Sequence, residues 1–125
     1  MRELKFRAWD AKANKMILDI SPRQIYLRVP YSERMEIMQF SGLHDKHGKE
    51  IYEGDIIKSK YSNFDKETNY VYSLVVFSNG SFKYKTKAYK DSLDNEWPSV
   101  FDYDLLDSEV VGNIYENNDL LKELD

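Results

Sequence analysis

A mainly β chain is predicted, on three observations. Ten tyrosines, six phenylalanines and two tryptophans accompany clustered β-branched residues. Short apolar runs alternate with polar positions, and glycine, proline, asparagine and aspartate punctuate them at short intervals. Strand follows strand with turns between and at most small helices. This order favours a closed or nearly closed barrel, because short antiparallel sheets must hide their edges.

Taken in order, Leu4-Lys5-Phe6-Arg7-Ala8-Trp9 alternates in character and places Leu4, Phe6 and Ala8 on one face. Residues 10–15 read as a turn in which Asn14 adopts the left-handed conformation at little cost. Met16 to Ile20 is then the return strand of a first hairpin. A strand over Gln24–Val29 puts Ile25, Leu27 and Val29 on one side, and Pro30 ends it. Another covers Glu36 to Phe40. Asp45-Lys46-His47-Gly48 fits a type I turn, with an aspartate that accepts a backbone N–H and a glycine at the exit.

Glu53-Gly54-Asp55 is a second turn, and it launches Ile56-Ile57-Lys58. Residues 61–69 are polar and read as a loop. Tyr70–Phe77 and Ser81–Ala88 flank Ser78-Asn79-Gly80, and Asn-Gly between apolar-patterned runs is the strongest local hairpin signal. On its return strand Phe82 and Tyr84 share one face and Lys83, Lys85 and Lys87 the other. Residues 89–108 read as an acidic loop with irregular structure. Glu109–Tyr115 is a last strand whose Gly112 marks a bulge or a close backbone approach. Asn117-Asn118-Asp119 caps a short C-terminal helix with Leu120, Leu121 and Leu124 on one stripe.

The 125 residues suit one domain over 1–125, with enough chain for a core that needs no staples. Cysteine is absent, so disulfides and thiolate zinc sites are excluded. The charged start Met1–Arg7 has no apolar stretch behind it, which predicts no signal peptide. The longest apolar runs fall far short of the ~20 residues that span a bilayer. A cytoplasmic location with no membrane contact is therefore expected.

The net charge of −4 is unevenly placed. Residues 1–90 hold 17 Lys+Arg against 11 Asp+Glu, a balance of +6; residues 91–125 hold 1 against 11, a balance of −10. A basic body with an acidic last third suits nucleic-acid contact with a competing acidic segment. The preferred reading is that opposite charges pair across neighbouring elements and solubilise the surface, since exposed pairs of that kind are common and contribute little energy.

Catalytic motifs are missing. There is no Gly-x-Ser-x-Gly elbow, no thiol and no phosphate-cradling glycine loop. His44-Asp45-Lys46-His47 could bring two imidazoles and a carboxylate near a metal. The segment reads as a solvent-facing turn, however, and the chain has no further His or Cys to complete a site. Glu53, Asp55 and Lys58 are the residue types of a divalent-metal nuclease site, yet they read fully as a turn entering a strand. No catalytic, metal or cofactor residue is assigned.

Three blocks carry a family resemblance. They are Arg2-Glu3-Leu4-Lys5-Phe6-Arg7-Ala8-Trp9-Asp10, the stretch Met38 to Ile57 containing Phe40-Ser41-Gly42-Leu43-His44-Asp45-Lys46-His47-Gly48 and Tyr52-Glu53-Gly54-Asp55, and Glu109-Val110-Val111-Gly112-Asn113-Ile114-Tyr115-Glu116-Asn117. Together and in this order they resemble the YopX family of bacteriophage and prophage proteins. The resemblance implies a phage or prophage origin and a β-rich fold containing a small SH3-like barrel, here with an N-terminal β-hairpin extension. It implies no activity. Members of that family commonly carry Lys and Asn where this chain has His44 and His47, which weakens the metal reading. The shared residues read as scaffold: Gly42, Gly48, Gly54 and Gly112 shape the backbone, Phe6, Trp9 and Ile56 pack, and Asp45 and Asp55 hold turns.

The leading expectation is a non-catalytic accessory protein that binds a host or phage protein, including copies of itself. Tyr and Trp are enriched where interfaces form, and the candidate contacts are Tyr61, Phe64, Tyr89, Trp97 and Phe101. The alternative is a nucleic-acid-binding small barrel in which Lys83, Lys85 and Lys87 track phosphates while Trp9 or Tyr84 stacks a base. An enzyme with an unrecognised carboxylate site is the third reading.

Overall fold

The computed structural model describes residues 3–21, 23, 35–62, 68–86, 97–99, 108–117 and 119–120, with the side chains of 60–62, 68, 69, 71, 86 and 97–99 outside that description. Among these residues nine strands form two antiparallel sheets. They are β1 (Phe6–Asp10), β2 (Lys15–Ile17), β3 (Met35–His44), β4 (Glu50–Tyr52), β5 (Asp55–Ser62), β6 (Thr68–Ser78), β7 (Ser81–Thr86), β8 (Trp97–Ser99) and β9 (Ser108–Asn113). One sheet has the order β2-β1-β3-β4 and the other β8-β7-β6-β5-β9.

The first hairpin forms because Asp10 Oδ1 accepts the N–H groups of Lys12 and Ala13, and Asn14 takes a φ of 56°. β1 departs from simple alternation. Leu4 is 63% exposed, while Arg7, Ala8 and Trp9 are all buried, so both faces of the strand are covered. β3 runs four residues further than the expected Glu36–Phe40 and pairs with β4, a strand the sequence pattern does not reveal. Three residues of β3 face one of β4 between the paired positions Phe40–Tyr52 and His44–Glu50, an irregularity that bends β3.

The Asn79-Gly80 hairpin is as expected. Both residues have positive φ, 50° and 84°, the conformation that matches the twist of the flanking strands. β5 extends to Ser62 and β6 begins at Thr68, so both strands reach into the stretch expected as a loop. β8 pairs with β7 inside the expected acidic loop. In β9, Ile56 of β5 pairs with Gly112 and Ile57 with Val110, leaving Val111 as the bulged residue.

Among the described residues there is no α-helical element. Asp119 and Leu120 form a single 3₁₀ turn. The rest of the expected C-terminal helix, and the expected strand over Gln24–Val29, lie outside the described residues. No helix among the described residues is long and apolar enough to cross a membrane.

The core lies between the sheets. Ile51, Ile57, Val75, Phe82 and Tyr84 form one buried cluster, with Leu43 and Val110 packed against it. Ile51 comes from the first sheet and the other four from the second. Burying each such apolar side chain contributes roughly 1.5–3 kcal/mol.

The chain passes from one sheet to the other through Glu53-Gly54. Glu53 N–H donates to Gln39 C=O at 3.0 Å and Gly54 N–H to Val75 C=O at 2.8 Å; Ile114 N–H donates to Gly54 C=O at 2.9 Å. Gly54 has a φ of 89°. A Cβ here would meet Met38 Sδ at 3.0 Å. The backbone conformation demands glycine at this crossing, and a Cβ would in addition press on the Met38 side chain.

Candidate functional site

The polar residues with catalytic potential are built into the scaffold. Asp55 lies beside the Gly54 crossing and is 1% exposed. Its Oδ1 accepts Arg7 Nη2 at 2.7 Å and its Oδ2 accepts Tyr52 N–H at 2.8 Å. Arg7 also donates to Glu53 C=O at 3.3 Å and lies over the Tyr52 ring, 4.7 Å from its centroid. Burial pushes the Asp55 carboxyl above its ordinary value, against the opposing pull of Arg7 and the Tyr52 N–H. Burial likewise raises the Tyr52 phenol. Glu53 caps the same crossing, its Oε1 accepting Gln39 N–H at 2.9 Å. Lys58, three residues beyond Asp55, reaches the Tyr70 ring instead. The Glu53–Asp55–Lys58 trio is thus divided between a structural junction and an outer sheet face.

Asp45 has its carboxylate engaged by backbone. Oδ1 accepts the N–H groups of His47 and Lys49, at 2.8 and 2.9 Å, and Oδ2 accepts Val110 N–H at 2.9 Å. Burial raises the Asp45 carboxyl, but those three donors outweigh it and hold it below its ordinary value. His44 and His47 do not converge. His44 meets Phe40 edge-on at 5.5 Å, whereas His47 Nε2 lies 3.5 Å from Glu109 Oε2. No group of three or more His, Cys, Asp and Glu among the described residues is arranged to hold a metal ion.

Two aromatics expected to stack a base are unavailable for it. Trp9 is 7% exposed and stacks on Tyr115, with centroids 5.5 Å apart and an interplanar angle of 12°. Tyr84 belongs to the core. The alternation of β7 gives the right parity, Phe82 and Tyr84 inward and the lysines outward. That same parity denies Tyr84 a role beside the lysines.

A different set of aromatics accompanies the lysines. Across β5 and β6, Lys58 pairs with Tyr72 and Lys60 with Tyr70; across β6 and β7, Leu74 pairs with Lys85 and Val76 with Lys83. Cross-strand partners share a face. The outer face of the second sheet therefore carries β5 lysines opposite two tyrosines of β6 and, further along β6, β7 lysines opposite Leu74 and Val76. Lys58 Nζ sits 4.3 Å from the Tyr70 centroid and 5.9 Å from that of Tyr72. Tyr70 nonetheless keeps 55% of its surface open, and Lys85 is exposed. Glu109, cross-strand from Lys58, is an acidic neighbour on this face and is engaged by His47. Ile56 at the start of the face is fully buried, so the open surface begins at Lys58.

Of the expected partner contacts, Tyr61 and Trp97 have backbones in β5 and β8 and side chains outside the description; Phe64, Tyr89 and Phe101 lie outside the described residues, as does Lys87. Sequence reasoning misses Lys58, Tyr70 and Tyr72. Their signal in the sequence is alternation, Lys58-Ser-Lys60 and Tyr70-Val-Tyr72, which shows a shared face only once the register joins the strands.

Fold and face define a small antiparallel two-sheet β protein whose buried charged residues are structural and whose outer sheet face is basic and aromatic. The family described as YopX protein matches residues 19–122, and the chain belongs to that family. Among solved structures it is similar to the crystal structure of protein EF1440 from Enterococcus faecalis. The TM-score is 0.65 at 22% identity, over 97% of this chain and 99% of that one. That likeness is one of fold. No curated protein matches the chain.

Proposed function

We propose that this chain is a non-catalytic binding module of a bacteriophage or prophage, acting in the cytoplasm of the bacterial host. In this reading the second sheet, with the β3–β4 hairpin tied across its β9 edge through Asp45, is a small SH3-like barrel. Its working surface is the outer face of β5–β7. The observation that carries the reading is the Lys58–Tyr70–Tyr72 cluster beside exposed Lys85. A tyrosine ring left more than half open beside a lysine is available to a partner. Tyrosines flanked by positive charge are a common composition for surfaces that hold another macromolecule.

A host or phage protein, including a second copy of this chain, is one class of partner. Tyr61, Phe64, Tyr89, Trp97 and Phe101 remain the proposed contacts for it. The test is affinity capture from host lysate with the natural chain and with a Lys58→Glu/Lys85→Glu variant as paired baits. A macromolecule retained by the first and lost by the second is the expected result. Equal retention by both baits, or none by either, removes the outer face as the working surface.

A further inference from the structure

We propose that the outer face of β5–β7 binds single-stranded nucleic acid, with Tyr70 as the stacking platform and Lys58 and Lys85 as phosphate contacts. The inference rests on reading that face as the working surface and names its ligand. Three observations favour this ligand. First, the aromatic side chain is presented rather than packed: Tyr70 is 55% exposed, whereas Trp9 and Tyr84 are buried. A base is a flat apolar disc, and a half-open ring offers it a flat apolar partner.

Second, cations stand on both neighbouring strands. Lys58 on β5 sits over Tyr70 at 4.3 Å, and Lys85 on β7 is the cross-strand partner of Leu74, four residues along β6 from Tyr70. A strand rises about 3.4 Å per residue, so Lys85 lies roughly 14 Å along the sheet from Tyr70 and meets a phosphate further along the bound strand than Lys58 does. Third, among the described residues Glu109 is the one acidic residue that the strands place on this face. Glu109, the acidic cross-strand neighbour of Lys58, has its carboxylate within 3.5 Å of His47. A flat sheet face presents no helix to enter the major groove of a duplex, whereas an unpaired strand can lay its bases on it.

The experiment is fluorescence anisotropy with a short labelled oligothymidylate, using the full chain. Two or three phosphate contacts predict an affinity that falls roughly seven- to twentyfold when salt is raised fourfold. Tyr70→Ala weakens binding about fivefold or more. Lys58→Glu/Lys85→Glu weakens it further and flattens the salt dependence. Tyr70 and Lys85 are exposed and Lys58 is half-buried, and a circular dichroism spectrum like that of the natural chain establishes that each variant is folded.

Absence of binding at low salt overturns the proposal. So does binding that Tyr70→Ala leaves unchanged and that polyglutamate displaces as well as unlabelled oligothymidylate does, since that is attraction to any polyanion. If instead the paired baits show a protein retained through Lys58 and Lys85 while oligothymidylate does not bind, the working surface stands and its nucleic-acid assignment falls.

Discussion

Gly112 shows how one missing side chain can fix local geometry. The Asn117 side chain folds back so closely that a Cβ on residue 112 would collide with its Cβ, Cγ and Oδ1. Asn117 is held there because its Oδ1 accepts Asn113 N–H at 3.1 Å. Asn113 Oδ1 in turn accepts the N–H groups of Tyr115 and Glu116, at 2.9 and 2.8 Å. These bonds turn the chain directly after β9. Gly112→Ala is therefore expected to cost about 1–3 kcal/mol, the usual penalty for forcing atoms into filled space. Denaturant unfolding should show a lowered midpoint with an unchanged slope. A midpoint like that of the natural chain would mean that Asn117 can swing aside without loss.

Asp45 acts at the level of whole elements. Its backbone closes the turn between β3 and β4, with Gly48 N–H donating to Asp45 C=O at 2.9 Å. Its carboxylate carries the hairpin across to β9 through Val110 N–H, and Lys46 N–H reinforces this by donating to Ser108 C=O at 3.0 Å. One N–H and one C=O on the open edge of β9 are thereby engaged, which blunts it as a template for unwanted strand pairing. Asp45→Ala leaves three donors without their acceptor and is expected to cost about 2–3 kcal/mol.

The same residue sets an acid limit. Its carboxyl is lower in the folded chain than its ordinary value of 3.8. An ionised Asp45 therefore stabilises the fold in full above an unfolded-state value of about 3.9, and the benefit is lost as pH falls through the lower folded value. Asp55 has the opposite sign. Its carboxyl is raised, so it binds a proton more readily folded than unfolded and adds nothing to acid unfolding. Stability profiles from pH 7 to 2 should be flattened at the acid end by Asp45→Ala. An acid limb as steep in that variant as in the natural chain would assign the effect to other carboxylates.

At the scale of the whole molecule, Arg7 and Asp55 join the two sheets with one buried ion pair. Arg7 is on β1 and Asp55 opens β5, and their side chains are 8% and 2% exposed. Arg7 Nε has no hydrogen-bond partner among the described residues. A buried pair with such an unsatisfied atom is costly to desolvate, and removing one member strands the other charge. Arg7→Met and Asp55→Asn should each cost about 3–5 kcal/mol. The double variant should lose clearly less than their sum. No unpaired charge remains in it, and the amide oxygen introduced at position 55 can still accept Tyr52 N–H. Additive losses in a double-mutant cycle would show that each residue acts through separate contacts.

The β character, the turns at Asn14, Asp45–Gly48 and Asn79-Gly80, the bulge beside Gly112 and the inward face of β7 were legible in the linear chain. Each depends on neighbours a few residues apart, where backbone sterics and side-chain parity dominate. Family membership was legible too: the second and third blocks, which hold Asp45–Gly48 and Gly112, lie within the matched residues 19–122. What only the tertiary structure decided depends on partners far apart in sequence. Arg7 is buried because Asp55, 48 residues on, covers it. β4 is a strand because β3 is there to pair with it. Trp9 is a core residue because Tyr115 stacks on it. The Lys58–Tyr70–Lys85 face exists only through the register of three strands, since a shift of one residue would turn every one of those side chains to the opposite side.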